Sequence, residues 1–242
     1  MLLTANRGLI ESVRTRLVEN AQPERAAPMQ AYMKSEMPYL GVPMPACRKI
    51  WRSGFDVSLD QREWWATVEA LWDEAEYREE RYAAIGLARH RRFADFQHPD
   101  LIEGYGRLIS DGAWWDLVDE IASHLVGDLL RKHAEVITPV LDQWAVVGDL
   151  WRRRTAIISQ IGSKELTDTA LLTRTICANL DGSVGRAPAM STYGREFFIR
   201  KAIGWALRSY AYTDADWVRR FVDQHRESLS GLSIREATKH LG

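Results

Sequence analysis

Apolar residues recur with a period of 3.6 along nearly the whole chain, and no segment alternates as a β-strand does. Residues 5–20 carry Leu9, Ile10, Val13 and Leu17 on one helical stripe. A second helix is expected over 24–36, with Tyr32 and Lys34 in it. Pro38 and Pro43 both oppose helix and make 37–43 a turn. Pro45 suits the first turn of the helix that follows, with Cys47, Arg48, Ile50 and Trp51. Ser58 is expected to cap a helix through Trp64, Val68 and Leu71. The helix over 77–92 ends in Arg89-His90-Arg91-Arg92, cations that suit a helix C-terminus. Further helices are expected from His98-Pro99-Asp100 through Ile109, then near 134–146, 150–162, 167–180, 195–212 and 214–227. Ser233 caps a last short one. Residues 181–194 gather Gly, Ser and Pro, lose the period, and read as a mobile surface loop. Helical hairpins of roughly 35–45 residues stacked without strands imply an all-α fold. The expectation is one domain over 1–242, a curved α-solenoid of HEAT-like repeats whose concave face suits an extended ligand.

Composition excludes several classes. With 46% hydrophobic and 27% charged residues, the 242-residue chain has the balance of a soluble globular protein. No apolar run reaches the length of about 18 residues that a membrane span needs. The start Met-Leu-Leu-Thr-Ala-Asn-Arg turns polar too quickly for a signal peptide. Cys47 and Cys177 are far apart and form no ligand motif, so a reducing cytoplasm and no metal site are expected. The net charge of -1 gives no whole-molecule attraction for a polyanion, and any basic surface must be local. Ten tryptophans are unusual, and most should be core material.

Three helices depart from a plain core pattern. Nothing from Ala113 to Gly127 breaks a helix, and Trp114, Val118, Ile121 and Leu125 form one apolar stripe. Trp115 falls on another face with Asp119, Ala122 and Ser123: an indole, a carboxylate one turn away, and small neighbours. In the helix near 150–162, Arg154 falls in the middle of the stripe made by Leu150, Ile157 and Ile161. Such an arginine snorkels, pairs with a buried acid, or faces a ligand anion. Arg152 and Arg153 point elsewhere and read as solvated cations. In the helix over 195–212, Ile199, Ala202, Ile203, Ala206 and Tyr210 make the core face, while Phe197, Lys201, Trp205 and Arg208 cluster opposite. Two aromatics with two cations suit a nucleic acid, whose phosphates and apolar parts both need contact. Packing of this face between neighbouring helices is the plain alternative. If the three helices share a face, indole walls would flank a carboxylate able to stabilise positive charge, with cations nearby for phosphates.

These residues also match a known pattern. Ala31-Tyr32-Met33-Lys34, Tyr39-Leu40-Gly41-Val42, Trp114-Trp115-Asp116-Leu117-Val118-Asp119, Trp151-Arg152-Arg153-Arg154-Thr155-Ala156-Ile157, the run from Phe197 to Arg208, and Ser233-Ile234-Arg235-Glu236-Ala237 carry it. On them the chain resembles, over nearly its whole length, the AlkD-type DNA alkylation-repair glycosylases built from HEAT-like repeats. The resemblance implies excision of N3- and N7-alkylated purines from double-stranded DNA by hydrolysis of the N-glycosidic bond, as a step of base excision repair. It implies that Asp119 stabilises an oxocarbenium-like sugar and positions the attacking water. It implies that Trp115 and Trp205 contact the lesion nucleotide's sugar and backbone, that Arg154 grips a phosphate, and that Arg208 adds to the cationic face. Lys201 and Phe197 share that DNA-facing side, and Tyr32 matches a tyrosine near the family's DNA surface. No cofactor is implied, and no lysine stands out as a Schiff-base nucleophile, so the expected enzyme is monofunctional. The stretch 181–194 is longer than the family pattern. A non-catalytic DNA-binding relative on the same scaffold, and a HEAT-like protein-interaction scaffold, are the competing readings. A monomer is expected.

Overall fold

A computed structural model describes residues 4–180 and 192–241. Among them every regular element is helical and no strand occurs, so the all-α class holds, in keeping with an α-solenoid of helical hairpins. No helix among them is long and apolar enough to cross a membrane. Most of the stretch expected as a loop, residues 181–191, lies outside the described residues, while Thr192–Arg195 forms a short 3-10 turn. The chain divides into two compact units, Met1–His98 and Pro99–Gly242.

The first unit holds α1 (Arg7–Glu19), α2 (Pro23–Met33), α3 (Met44–Gly54), α4 (Gln61–Asp73) and α5 (Arg78–Ala88). The predicted stripe of α1, Leu9, Ile10, Val13 and Leu17, is buried. Each such aliphatic contributes about 1.5–3 kcal/mol through burial. α4 is capped by Asp60, not Ser58: its carboxylate accepts hydrogen bonds from the Arg62 and Glu63 N–H groups, and its charge also complements the helix dipole. The helix expected over 77–92 stops at Ala88. A 3-10 turn, Arg91–Phe96, follows and tucks Phe93 beneath Trp64, a tertiary contact that overrides the local period. The turn between α2 and α3 is held by a buried carboxylate. The backbone N–H groups of Leu40, Gly41 and Val42 all donate to Glu79. Burial pushes the Glu79 carboxyl above its ordinary range, and those three bonds oppose the rise. α2 buries no residue, and Tyr32 near its end is 75% exposed.

The second unit holds α6 (Leu101–Gly112), α7 (Trp115–Glu120), α8 (Gly127–Lys132), α9 (Ala134–Trp144), α10 (Leu150–Ile158), α11 (Thr169–Cys177), α12 (Phe197–Ala211), α13 (Ala215–Gln224) and α14 (Gly231–Ala237). A π segment, Ile121–Val126, joins α7 to α8 without a break in helical backbone angles. Val118, Ile121 and Leu125 are buried as predicted. Trp114 leaves the stripe. It is the extended N-cap of α7, with φ -152 and ψ 148. There its indole packs against Trp151 and Phe198, with ring centroids 6.0 Å and 5.2 Å away, and those contacts explain its departure. Ile157, Ile158, Leu172, Ile176, Ile199, Ala202 and Ile203 form the core that α10, α11 and α12 share.

Arg153 corrects the sequence reading of a solvated cation. It is buried, donates to the carbonyls of Ala145, Val146 and Val147 and to Asn179, and lies over the Tyr193 ring. Those carbonyls follow the end of α9, where a cation meets the negative end of the helix dipole. Arg152 is half-buried, stacks on Trp144 and donates to the Ser110 hydroxyl.

Candidate functional site

α10 begins where Asp149 accepts hydrogen bonds from the Trp151 and Arg152 N–H groups. That start aims Arg154, one turn in, at α7. Its Nε donates to Asp119 Oδ1 at 2.7 Å and its Nη2 to Oδ2 at 2.8 Å, a two-point ion pair. Its Nη1 donates to the Phe198 carbonyl at 2.5 Å, and the guanidinium lies over the Phe198 ring. Of the three outcomes open to an arginine on an apolar stripe, pairing with a buried acid is the one realised. The side chains of Arg154 and Asp119 are 5% and 14% exposed. One guanidinium thus ties α7 to α10 and to the start of α12.

The Asp119 carboxyl is pushed above its ordinary value of 3.8 by burial, and the hydrogen bonds and charge of Arg154 pull it back down. Asp116 and Glu120 add smaller upward pushes by like charge. Trp115, half-buried, opens α7 one turn before Asp119. The Ser123 hydroxyl donates to the Asp119 carbonyl and steadies the same turn.

α12 is one unbroken helix, so the two faces read from its sequence persist. Ile199, Ala202, Ile203 and Ala206 are buried. On the other side Phe197 is 52% exposed, while Lys201, Trp205 and Arg208 are half-buried, with Trp205 packed against the edge of the core. The two cations do not stand alone. Lys201 Nζ donates to Glu236 Oε1 at 2.7 Å, and Arg208 donates to Glu236 Oε2. The hydrogen bond from Lys201 foremost, and then the charges of both cations, hold the Glu236 carboxyl below its ordinary range. α14 reaches this position because of Gly204. A Cβ there would stand 2.5 Å from Glu236 Cβ and 3.0 Å from the Ser233 carbonyl oxygen. Ser230, not Ser233, caps α14, its hydroxyl accepting from the Ser233 N–H. Ser233 is instead buried inside the helix and donates to the Arg200 carbonyl, closing the same contact.

Asp119 and Arg154 are thus brought into direct contact, and Lys201 and Arg208 share one counter-ion. Phe198 links the two groups, since its carbonyl binds Arg154 and it lies on α12 three residues before Lys201. Tyr32 belongs to the first unit. Sequence reasoning gave no role to Glu236 or Phe198. A pair of cations on one helix face signals that a counter-charge is needed, but nothing local picks out a glutamate 28 and 35 residues away.

A buried, ion-paired carboxylate beside an aromatic cluster, with a second cationic face on the adjoining helix, is suited to stabilising cationic character and holding phosphates. The family model described as DNA alkylation repair enzyme matches residues 13–241. The chain belongs to the DNA alkylation repair enzyme family. A solved structure described as a predicted DNA alkylation repair enzyme from Enterococcus faecalis is similar to it, with a TM-score of 0.79 at 28% identity over 92% of this chain and 97% of that one. Comparison with curated proteins gives no match. The DNA alkylation repair match runs through both units and takes in every residue of the Asp119–Arg154 and Lys201–Arg208–Glu236 groups.

Proposed function

We propose that this chain is a monofunctional DNA glycosylase that hydrolyses the N-glycosidic bond of N3- and N7-alkylated purines in duplex DNA. The observation that carries the reading is the Asp119 carboxylate, withdrawn from solvent and fixed at both oxygens by Arg154. An alkylated purine already carries positive charge. Breaking its bond to C1′ sends the bonding electrons to the base, which leaves neutral, and positive charge builds on the sugar. A fixed carboxylate in a poorly hydrated site stabilises that sugar cation and orients the water that attacks C1′. The water gives up a proton, which passes to solvent.

Trp115 and Trp205 are assigned to the sugar and backbone of the lesion nucleotide. Arg154 uses three of its five donors on Asp119 and Phe198. Its first role is therefore to orient Asp119, with its remaining donors available to a phosphate. Lys201, Arg208 and Phe197 form the DNA-facing side of α12, and Tyr32 is an exposed aromatic suited to backbone contact.

The experiment is release of free base from a duplex carrying one N7-methylguanine, with Asp119→Asn alongside. Release by the wild type and loss of at least 100-fold in the variant, with duplex affinity kept, is the expected result. One observation favours a binding-only relative: Arg154 already neutralises Asp119, which leaves less field for a sugar cation. No release together with tight binding of alkylated duplex would select that reading.

A further inference from the structure

The first unit contains a cationic cavity that the glycosylase reading does not use. It has a volume of about 860 Å³ and is lined by Arg48, Arg52, Arg89, Arg91 and Arg92 around Trp51. Arg48 and Arg52 sit one turn apart on α3, where like charges destabilise a helix by a few tenths of a kcal/mol. The other three follow the end of α5. Arg92 has a partner in the cavity wall, Asp56, at 2.8 Å. The side chains of Arg48, Arg52 and Arg91 make no hydrogen bond or ion pair among the described residues. Arg48, Arg52 and Arg91 thus leave a local excess of positive charge in a chain whose net charge is -1.

The floor is built rather than incidental. The Trp51 indole lies on Gly86 of α5, so close that a Cβ at Gly86 would stand 2.9 Å from the ring. Phe55 stacks parallel to Trp51, and His90 meets Phe55 edge-on. Trp51 Nε1 and His90 Nδ1 are buried without a hydrogen-bond partner. Burial foremost, and the charges of Arg91 and Arg92 with it, hold the His90 imidazole below its ordinary value. Unsatisfied buried nitrogens cost about 1–3 kcal/mol each. The last turn of α3 accounts for Arg52, but no helix end calls for Arg48. Helix ends explain single cations of the group; they do not explain why two helices bring theirs to one cavity, which an anion does.

A single phosphate would occupy a small part of such a volume and meet only one or two guanidiniums. We propose that this cavity binds a run of closely spaced phosphates. Arg48, Arg52 and Arg91 supply bidentate donors, and the Trp51 ring gives an apolar floor. The chemistry is shared by a free oligophosphate and by consecutive phosphates of a nucleic-acid backbone. The proposal concerns binding alone and stands or falls separately from the glycosylase reading.

The test compares the wild type, Arg48→Ala/Arg52→Ala, and a control, Arg62→Ala/Arg226→Ala, which removes two exposed arginines elsewhere. Calorimetry with tripolyphosphate is one arm; the salt dependence of binding to an undamaged duplex is the other. Thermal melting checks that all three fold. A loss of tripolyphosphate affinity of tenfold or more, confined to the α3 variant, identifies a free oligophosphate. A fall of about two in the slope of log affinity against log salt, again confined to that variant, identifies the duplex backbone. If neither arm separates the α3 variant from the control, the proposal is overturned.

Discussion

At the residue scale, the Asp119–Arg154 pair sets both stability and the proposed chemistry. Both side chains are nearly buried, so removing one leaves the other's charge stranded. Asp119→Ala is expected to cost about 3–5 kcal/mol in urea unfolding, since the Arg154 guanidinium stays buried without a counter-charge. Asp119→Asn keeps an oxygen acceptor and should cost less, which makes it the better probe of catalysis. The pH dependence follows from the same contact. Burial raises the Asp119 pKa and Arg154 opposes the rise. The ionised form is the one that stabilises a sugar cation. Excision should therefore increase with pH through a midpoint above 3.8, the ordinary value for an aspartate. Arg154→Gln removes the opposing influence and is expected to move that midpoint further up. A pH–rate profile of single-turnover excision measures both. An unmoved midpoint in the variant would mean that Arg154 does not act through Asp119.

At the scale of elements, α12 and α14 behave as one structure because Gly204 permits backbone approach. Gly204→Ala puts a methyl group where Glu236 Cβ and the Ser233 backbone already sit. Overpacking of this kind costs about 1–3 kcal/mol, to be read in chemical unfolding. It should also pull Glu236 away from Lys201 and Arg208. Glu236→Gln tests the electrostatic half without the steric one. Removing this carboxylate unmasks two cations on the proposed DNA side, so affinity for undamaged duplex, followed by fluorescence anisotropy, should rise. A fall would place Glu236 among the groups that DNA binding needs. The same coupling of elements explains Arg153. Its donors end α9 in a way that the sequence of α10 alone does not disclose.

At the scale of the whole molecule, a net charge of -1 coexists with cations gathered in two places, one in each unit. Binding to a polyanion then depends on local fields and not on overall charge. Arg208→Ala is expected to lower the salt slope of duplex binding by about one, because that slope counts phosphates neutralised. A slope unchanged by this substitution would remove Arg208 from the DNA contact.

The 3.6 period determined the all-α class. It also located the buried stripe of α1 and the two faces of α12, because burial of one side of a helix leaves a regular signature along the chain. The family was legible in the Trp-Trp-Asp-x-Val-Asp and Phe-Phe-Ile-x-Lys-Ala-Ile-Gly-Trp segments. Partners were not legible. Arg154 was visible as an anomaly on its stripe, but only the packing of α7 against α10 supplied Asp119 as its counter-ion. Arg153 read as solvated because its acceptors are carbonyls at the end of another helix. Glu236 lay in a segment that matched the family, but its role as a counter-ion was hidden until Gly204 brought α14 onto α12. Helix ends at Trp114 and Ala88 were decided by aromatic contacts with distant residues. Periodicity records which side of a helix avoids water; the partner across each interface depends on chain segments that meet only when the tertiary structure forms.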